Sequence, residues 1–567
     1  MEDVNKILYK LLNGKVSGRH LEGMLGGSLY NGLVKYQEST SLSKIDYTEL
    51  LLKTLGSHSI FNKKFQNYLI ETILTDSQIK ELSAILKVEF TTAFTTREEL
   101  IKKSKKKIGI SLIQFLNLDK TEFVEKELEK EKIKEEILIV PDPEHFLSLH
   151  DYQKKVKDKI VKNLLENPKS KMLVHMPTGS GKTKTCVEAI IDFLRTRPFN
   201  EGLVIWFAHS TELCSQSYQT LVDVWKAKGD YPLPVFRIFG DNDPIDAILE
   251  KNKGVLFIGF QKFQSLLRSK KEFEIKIRTH VSTNAQLVVI DEAHKSLAAT
   301  YEKAISYVSG MPNCRLIGLT ATPGRSSNVD DPSNTFLSDF FDDNIIKIED
   351  DDGIEIENPL TYLQKRNVLA KIDHNPIQVN LEDFSPEDVL RIIASGELDE
   401  DQIEKVVESP IRNKIIIDEI EKALNDETRD LILVFACTTS HCILIQKLLE
   451  LQNIRSEVVL AGTPTNLREK YISDFKKGEL KVLINFGVLT TGFDAPKLKT
   501  LIIARHTNSI ILYSQMVGRA LRGPLNGGNE TNYIVDLVDN FSKLGNPDEL
   551  FTYWEDFWGR KFPKTEN

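Results

Sequence analysis

The chain has 567 residues, 41% of them hydrophobic and 28% charged, with a formal net charge of −8 and a pI near 5.9. This is too long for one hydrophobic core and implies two to four domains, and no run of about 18 apolar residues is present to cross a membrane as a helix. The charge excludes a uniformly basic nucleic-acid footprint, although a groove on an acidic protein can be locally positive.

The opening stretch, MEDVNKILYKLL, carries acidic residues and lacks an apolar signal core, so a cytoplasmic protein is expected. The cysteines Cys186, Cys214, Cys314, Cys437 and Cys442 form no CxxC pair, so neither a zinc site nor a disulfide framework is expected. Residues 1–140 are rich in Lys and Glu and helical in pattern, as in YTELLLKTLG, QIKELSAILKV and FVEKELEKEKIKEEILI. Within them REELIKKSKKK gathers Lys102, Lys103, Lys105, Lys106 and Lys107, a solvated helix face or a contact for nucleic acid or a partner protein. PDPEH at 141–145 breaks the pattern and marks a boundary.

Residues 141–352 have a different texture. The short apolar runs KMLVHM, GLVIWFA, GVLFIGF, QLVVIDE and RLIGLT alternate with helical segments. Strands this apolar are buried on both faces, as in a parallel sheet covered by helices. The region closes on the acidic DFFDDNIIKIEDDDG, read as a solvated connector. In residues 353–567, a linker with a helical insertion (about 355–410) precedes a second alternation: LILVFAC, SEVVLAG, KVLINFG, TLIIARH and NYIVDLV. The fold class is therefore α/β, with two tandem parallel-sheet domains after a mainly helical N-terminal domain.

Three segments carry chemistry. In MPTGSGKT a strand runs into Thr178, Gly179, Ser180, Gly181, Lys182 and Thr183 and then a helix. Glycines let backbone N–H groups turn around phosphate oxygens, and the helix N-terminus adds partial positive charge. Lys182 would reach the β- and γ-phosphates and the Thr183 hydroxyl would hold Mg²⁺. In QLVVIDEAHKS a strand delivers Asp291 and Glu292 at its C-terminal end, where α/β sheets place ligands. Asp291 suits Mg²⁺ and Glu292 suits deprotonating an attacking water. In ILYSQMVGRALRGP, Gln515, Arg519 and Arg522 share one face of an expected helix and could grip an anion, with Tyr513, Val517 and Leu521 packing the other. A metabolic phosphate-loop enzyme has no need of a second α/β unit ending this way.

With these segments the chain resembles the superfamily 2 helicases of the DEAH-box group over about 145–545. LHDYQ looks like the adenine-reading motif with Gln153 as reader and His150 at the usual basic position. MPTGSGKT is similar to the first motif, with Met176 where alanine or glycine is usual. AHSTELCSQ and IGFQKF resemble strand-binding motifs, the second with Gly259 in place of threonine. DEAH, LTATPGR, LTTGFDAP and QMVGRALR follow in order. The resemblance implies two RecA-like lobes sandwiching ATP. Glu292, Arg519, Arg522 and Gln515 would be catalytic, the arginines as fingers from the second lobe. Gly492 and Asp494 would join the nucleotide site, and His294, Thr320 and Thr322 would couple hydrolysis to lobe closure. His209, Ser210, Gln261 and Thr490 would touch nucleic acid, held largely through its phosphates.

NPLTYLQKRNVLAKI and YIVDLVDNF give the chain the flavour of restriction-enzyme motor subunits and excision-repair helicases, which act mainly on DNA. An ATP- and Mg²⁺-dependent DNA translocase or helicase in genome defence (antiviral defence included) or repair is therefore expected. The alternatives are an RNA helicase, or an ATP-gated sensor or recruiting subunit that binds a protein partner through residues 1–140.

Overall fold

A computed structural model describes residues 4–539 except 13, 41–45, 56–59, 61, 104, 119–136, 142–147, 197–201, 241–245, 296–298, 323–336, 338, 351, 380–384, 386, 389–390, 392–397, 491 and 508. Most of FVEKELEKEKIKEEILI, the PDPEH boundary, the end of LTATPGR and the close of YIVDLVDNF thus lie outside the described residues, as do the side chains of Lys105 and Lys106.

Strands β1 (Ile137–Ile139), β2 (Lys171–His175), β3 (Gly202–Ala208), β4 (Leu233–Ile238), β5 (Lys253–Gly259), β6 (Ala285–Asp291), β7 (Arg315–Thr320) and β8 (Ile345–Ile346) form one eight-stranded sheet. Its order is β1-β4-β5-β3-β6-β7-β2-β8, parallel throughout except where β1 meets β4. Strands β9 (Lys371–Val379), β10 (Ile432–Phe435), β11 (Ser456–Val459), β12 (Val482–Asn485), β13 (Thr500–Ile503) and β14 (Thr531–Asp539) form a second, all-parallel sheet in the order β11-β12-β10-β13-β14-β9. Each sheet is one RecA-like lobe. The central strands are buried from end to end, which is why they read as continuous apolar runs.

Three expectations need correction. Ile137–Ile139, read as the end of a helical region, pairs antiparallel with β4 and belongs to the first lobe's sheet. The acidic connector includes β8, and two of its carboxylates pair with the first lobe, Glu349 with Lys159 and Asp342 with Lys171 (3.1 Å). The linker contains β9, which pairs with β14 over its whole length. Just before it Leu360, Leu363, Val368 and Leu369 pack into the first lobe's core, so this segment straddles both lobes.

The N-terminal residues fold as a run of helices from Val4–Leu12 to Lys105–Phe115. Ser17, Asn62, Thr75 and Thr92 cap them by accepting backbone N–H groups. Although they precede the first lobe in sequence, their core is continuous with the second lobe's: Leu33, Tyr36 and Leu51 share one cluster with Ile416, Leu444 and Leu448. On helix Gly27–Thr40, Gly32 lies so close to helix Thr439–Leu451 that a Cβ there would sit 2.6 Å from Leu444 Cδ2. Asn31 and Lys35 on the same helix reach Glu408 at 3.2 and 2.8 Å. A partly exposed ion pair contributes at most about 1 kcal/mol, so docking rests on the apolar cluster.

Candidate functional site: the cleft between the lobes

The loops after β2, β6 and β7 leave the same C-terminal edge of the first sheet, and the second lobe closes over them. The result is a cavity of about 780 Å³, lined from the first lobe by Gln153, Gly181, Lys182 and Glu292 and from the second by Asp494 and Arg519.

Gly179 and Gly181 have φ of +86° and +85°, a region other residues rarely adopt. A Cβ at 181 would lie 2.3 Å from Gln153 Nε2, so a side chain there would displace Gln153 as well as strain the backbone. The Ser180 carbonyl accepts from both Tyr152 Oη (2.8 Å) and Gln153 Nε2 (2.9 Å). Gln153 also accepts the His150 N–H at 2.8 Å, capping its own helix, so this side chain fixes the phosphate loop. Tyr152 carried no signal in the sequence, because its role arises only from tertiary approach. Met176, the departure from the family pattern, is fully buried in the sheet core. Gln153→Ala would remove one buried hydrogen bond and one cap, at about 1–3 kcal/mol. A lower melting temperature together with weaker nucleotide binding is expected; a variant equal to wild type in both would show the contact to be idle.

Lys182 Nζ lies 3.0 Å from the Met176 carbonyl, and burial pulls its pKa down to about 8 against the opposing pull of Glu292 and Asp291. Asp291 accepts from Ser217 Oγ (3.2 Å) and from the Glu292 N–H (3.0 Å). Burial, reinforced by Glu292, pushes its pKa up to about 7. A desolvated carboxylate sharing a cavity with the Thr183 hydroxyl is a hard oxygen donor set that suits a divalent cation. Glu292 has φ +53°, a left-handed conformation stored at the strand end. Ser217 is a further site residue that the sequence did not reveal.

His294 gathers the coupling residues. Its Nδ1 lies 3.1 Å from Thr320 Oγ1, 3.3 Å from Thr322 Oγ1 and 3.4 Å from Glu292 Oε2. Thr320 Oγ1 donates to the Thr322 carbonyl (2.8 Å) and accepts the Thr322 N–H (3.1 Å). Across the lobes His294 Nε2 lies 3.3 Å from Gln515 Nε2. The ring thus stands between Glu292 and the two threonines on one side and Gln515 of the second lobe on the other.

The arginines converge, but not on one helical face. Helix Ile510–Val517 ends before them; Gly518–Ala520 is a 3₁₀ turn, and Arg522 bridges backbone-to-backbone with Leu369. The Leu521 carbonyl accepts from Ala370 N and Gly523 N donates to the Val368 carbonyl, so pairing with 368–370 outcompetes helical continuation. Tyr513, Val517 and Leu521 are buried as expected. Arg522 Nε donates to Asp494 (2.8 Å) and Nη1 to the Gly179 carbonyl (2.6 Å), joining the lobes at the phosphate loop. Burial works against the Asp494 carboxylate, but Arg522 outweighs it and lowers the pKa. Arg519 donates to the Gln515 carbonyl (3.2 Å) and to that of Phe493; burial lowers its pKa, while Glu292 and Asp494 act in the opposite sense.

Gly492, expected at the nucleotide, lines the cleft and also marks a close approach of the lobes. Its φ is +70°, and a Cβ would lie 2.7 Å from Leu213 N. Gly492→Ala is expected to hold the lobes apart, lowering maximal turnover at least tenfold while nucleotide still binds the first lobe; a tenfold loss is about 1.4 kcal/mol. Steady-state rates beside a nucleotide titration check this, and unchanged turnover would mean closure tolerates the methyl group.

The residues expected at nucleic acid lie outside this cleft. His209 packs its ring on Phe260 (4.7 Å) and Tyr301 (4.9 Å). Ser210 caps helix Thr211–Lys228 through Leu213 N (3.2 Å), and Gln261 is exposed at the start of helix Phe260–Arg268. Thr490 is buried and donates to the Gly487 carbonyl (3.1 Å). His209 and Gln261 follow the neighbouring strands β3 and β5, whereas Thr490 stands on the second lobe.

A phosphate loop, a strand-end acidic pair and an arginine-bearing turn, split between two closing RecA-like lobes, define a superfamily 2 helicase core. Residues 146–325 match the family described as Type III restriction enzyme, res subunit, and residues 413–524 match the helicase conserved C-terminal domain. The chain belongs to the superfamily 2 helicases and is related to restriction-enzyme motor subunits. It is 24% identical over 401 residues to a Saccharomyces cerevisiae protein named as an ATP-dependent helicase, IRC3, covering 69% of this chain and 51% of that one. It is 23% identical over 439 residues to the Escherichia coli type I restriction enzyme EcoKI endonuclease subunit, covering 71% of this chain and 36% of that one. Among solved structures, the Type ISP restriction-modification enzyme LlaBIII bound to DNA aligns at 16% identity and a TM-score of 0.49, over 74% of this chain and 29% of that one. The chain thus spans about half the length of the yeast relative and less of the bacterial one. Among the described residues no helix is long and apolar enough to cross a membrane.

Proposed function

We propose that the protein is a nucleic-acid-stimulated ATPase that translocates on or unwinds DNA. The observation that carries this reading is Arg522 reaching from Asp494 of the second lobe to the Gly179 carbonyl of the phosphate loop. With it, whatever opens or closes the lobes alters the nucleotide site.

The cleft supports hydrolysis at the γ-phosphate. Thr178, Gly179, Ser180 and Gly181 with Lys182 would hold the phosphates, and Thr183 and Asp291 would hold Mg²⁺, which supplies charge neutralisation when bound. A water oxygen bonds to the γ-phosphorus as the bond to the bridging oxygen breaks. Glu292 accepts the water's proton, and ADP takes the leaving electron pair. Arg519 answers the charge that builds on the equatorial oxygens. Gln515 and His294 tie the position of Glu292 to that of the second lobe, so catalytic alignment and lobe closure are one event.

DNA is favoured as the track by kinship with restriction motors, and genome defence or repair as the setting. His209, Ser210, Gln261 and Thr490 would meet the strand. The N-terminal helices, sharing a core with the second lobe, would travel with it and could present a partner protein to the moving half. Measuring ATP turnover with single-stranded DNA, duplex DNA and RNA tests the reading. Saturable stimulation by either DNA supports it, stimulation by RNA alone moves the protein to an RNA track, and none from all three rejects it.

A further inference from the structure

Strands β12, β10 and β13 lie side by side with Asn485, Phe435 and Ile503 in register, so Phe486, Ala436 and Ala504 step off the same edge of the second sheet together. Arg505 reaches across this edge and sets its guanidinium over the Phe486 ring, 4.7 Å from the centroid. The backbone that carries it is fixed. Ala504 N donates to the Phe435 carbonyl (2.9 Å), and the Ala504 carbonyl accepts from the buried Arg412 (2.8 Å) and from Cys437 Sγ. Arg505 itself makes no ion pair or hydrogen bond to the described residues.

A half-buried guanidinium without a counter-ion is uncommon on a chain with a net charge of −8. Burial lowers its pKa, and no carboxylate contributes in the opposite sense. A cation–π contact contributes about 0.5–2 kcal/mol and leaves the planar N–H fork unspent. Its neighbourhood indicates what the fork is for. Phe486 adjoins Gly487, whose carbonyl accepts the hydroxyl of Thr490 at 3.1 Å, the residue of this lobe proposed above to meet the strand.

We infer that Arg505, held on the Phe486 ring, is a phosphate contact for nucleic acid on the second lobe. The inference rests on the reading of the protein as a nucleic-acid motor. A fork held on a ring loses little freedom when it binds, so it can grip one phosphate firmly. It carries no information about base sequence, as a translocating motor requires.

The test is the salt dependence of binding to a fluorescent oligothymidylate by the full-length chain. Each phosphate contact adds roughly 0.7 to the log–log slope for a single strand. Arg505→Ala should lower the slope by about that amount and weaken binding alike for different sequences, whereas Arg505→Lys, which keeps the charge, should retain the slope. Arg505→Gln keeps part of the stem on the ring and gives the same reading should the alanine variant melt early. An unchanged slope in the alanine or glutamine variant overturns the inference and leaves the motor reading standing. Failure of the wild-type protein to bind any nucleic acid removes both.

Discussion

Arg519→Ala should reduce nucleic-acid-stimulated ATP turnover by about 10³–10⁵-fold, equivalent to ~4–7 kcal/mol of transition-state stabilisation. The residue stands in a different lobe from Lys182, yet both line one cavity, and Glu292 acts on the charge of both. Its guanidinium is anchored by the Gln515 and Phe493 carbonyls, which aim it without neutralising it. Burial strengthens every charge interaction it makes. Nucleotide affinity should fall only modestly, because the phosphate loop holds the ground state. Arg522→Ala should also lose turnover but with a clearer loss of nucleotide affinity, since Arg522 joins Asp494 to the loop itself. Rates beside nucleotide dissociation constants separate the two variants. Stimulated turnover within about threefold of wild type in both, ~0.65 kcal/mol, would refute the two-lobe site.

The second large effect is at Glu292. Glu292→Gln keeps shape and size but removes the proton acceptor, and positioned general bases are worth about 10²–10⁴-fold. Turnover should fall by that factor while ATP and nucleic acid still bind. The left-handed backbone at this residue (φ +53°) is held by the Asp291 carboxylate accepting its N–H, a contact that the substitution leaves in place. A filter-binding assay with labelled ATP, beside the rate, distinguishes loss of chemistry from loss of the site. Near wild-type hydrolysis would assign the base elsewhere.

Much of this was legible in the sequence because the informative parts are local. Every apolar run named from the sequence is a strand, since burial on both faces writes itself as continuous hydrophobicity. The phosphate loop and the DEAH stretch were legible because glycines and paired carboxylates at a strand end have few other uses. Strand β9 was not, because it lies at the edge of its sheet, largely exposed, with polar residues and Pro376 in its run. The turn carrying Arg519 and Arg522 reads as helix in the sequence, because the pairing of 521–523 with 368–370 is tertiary and leaves no periodicity. Tyr152 and Ser217 escaped for the same reason: a hydroxyl that meets Ser180 or Asp291 is an ordinary residue until the chain folds. The docking of the N-terminal helices on the second lobe, past the first, was likewise invisible, as helical periodicity gives an apolar face but not its partner.

That the cleft drives movement is tested most directly by displacement of a labelled third strand from a DNA triplex. Wild-type protein with ATP should release the strand at a rate that follows ATP turnover, and Glu292→Gln should bind the same DNA without releasing it. DNA-stimulated hydrolysis with the triplex left intact would contradict the account, leaving an ATPase that senses nucleic acid but does not move along it.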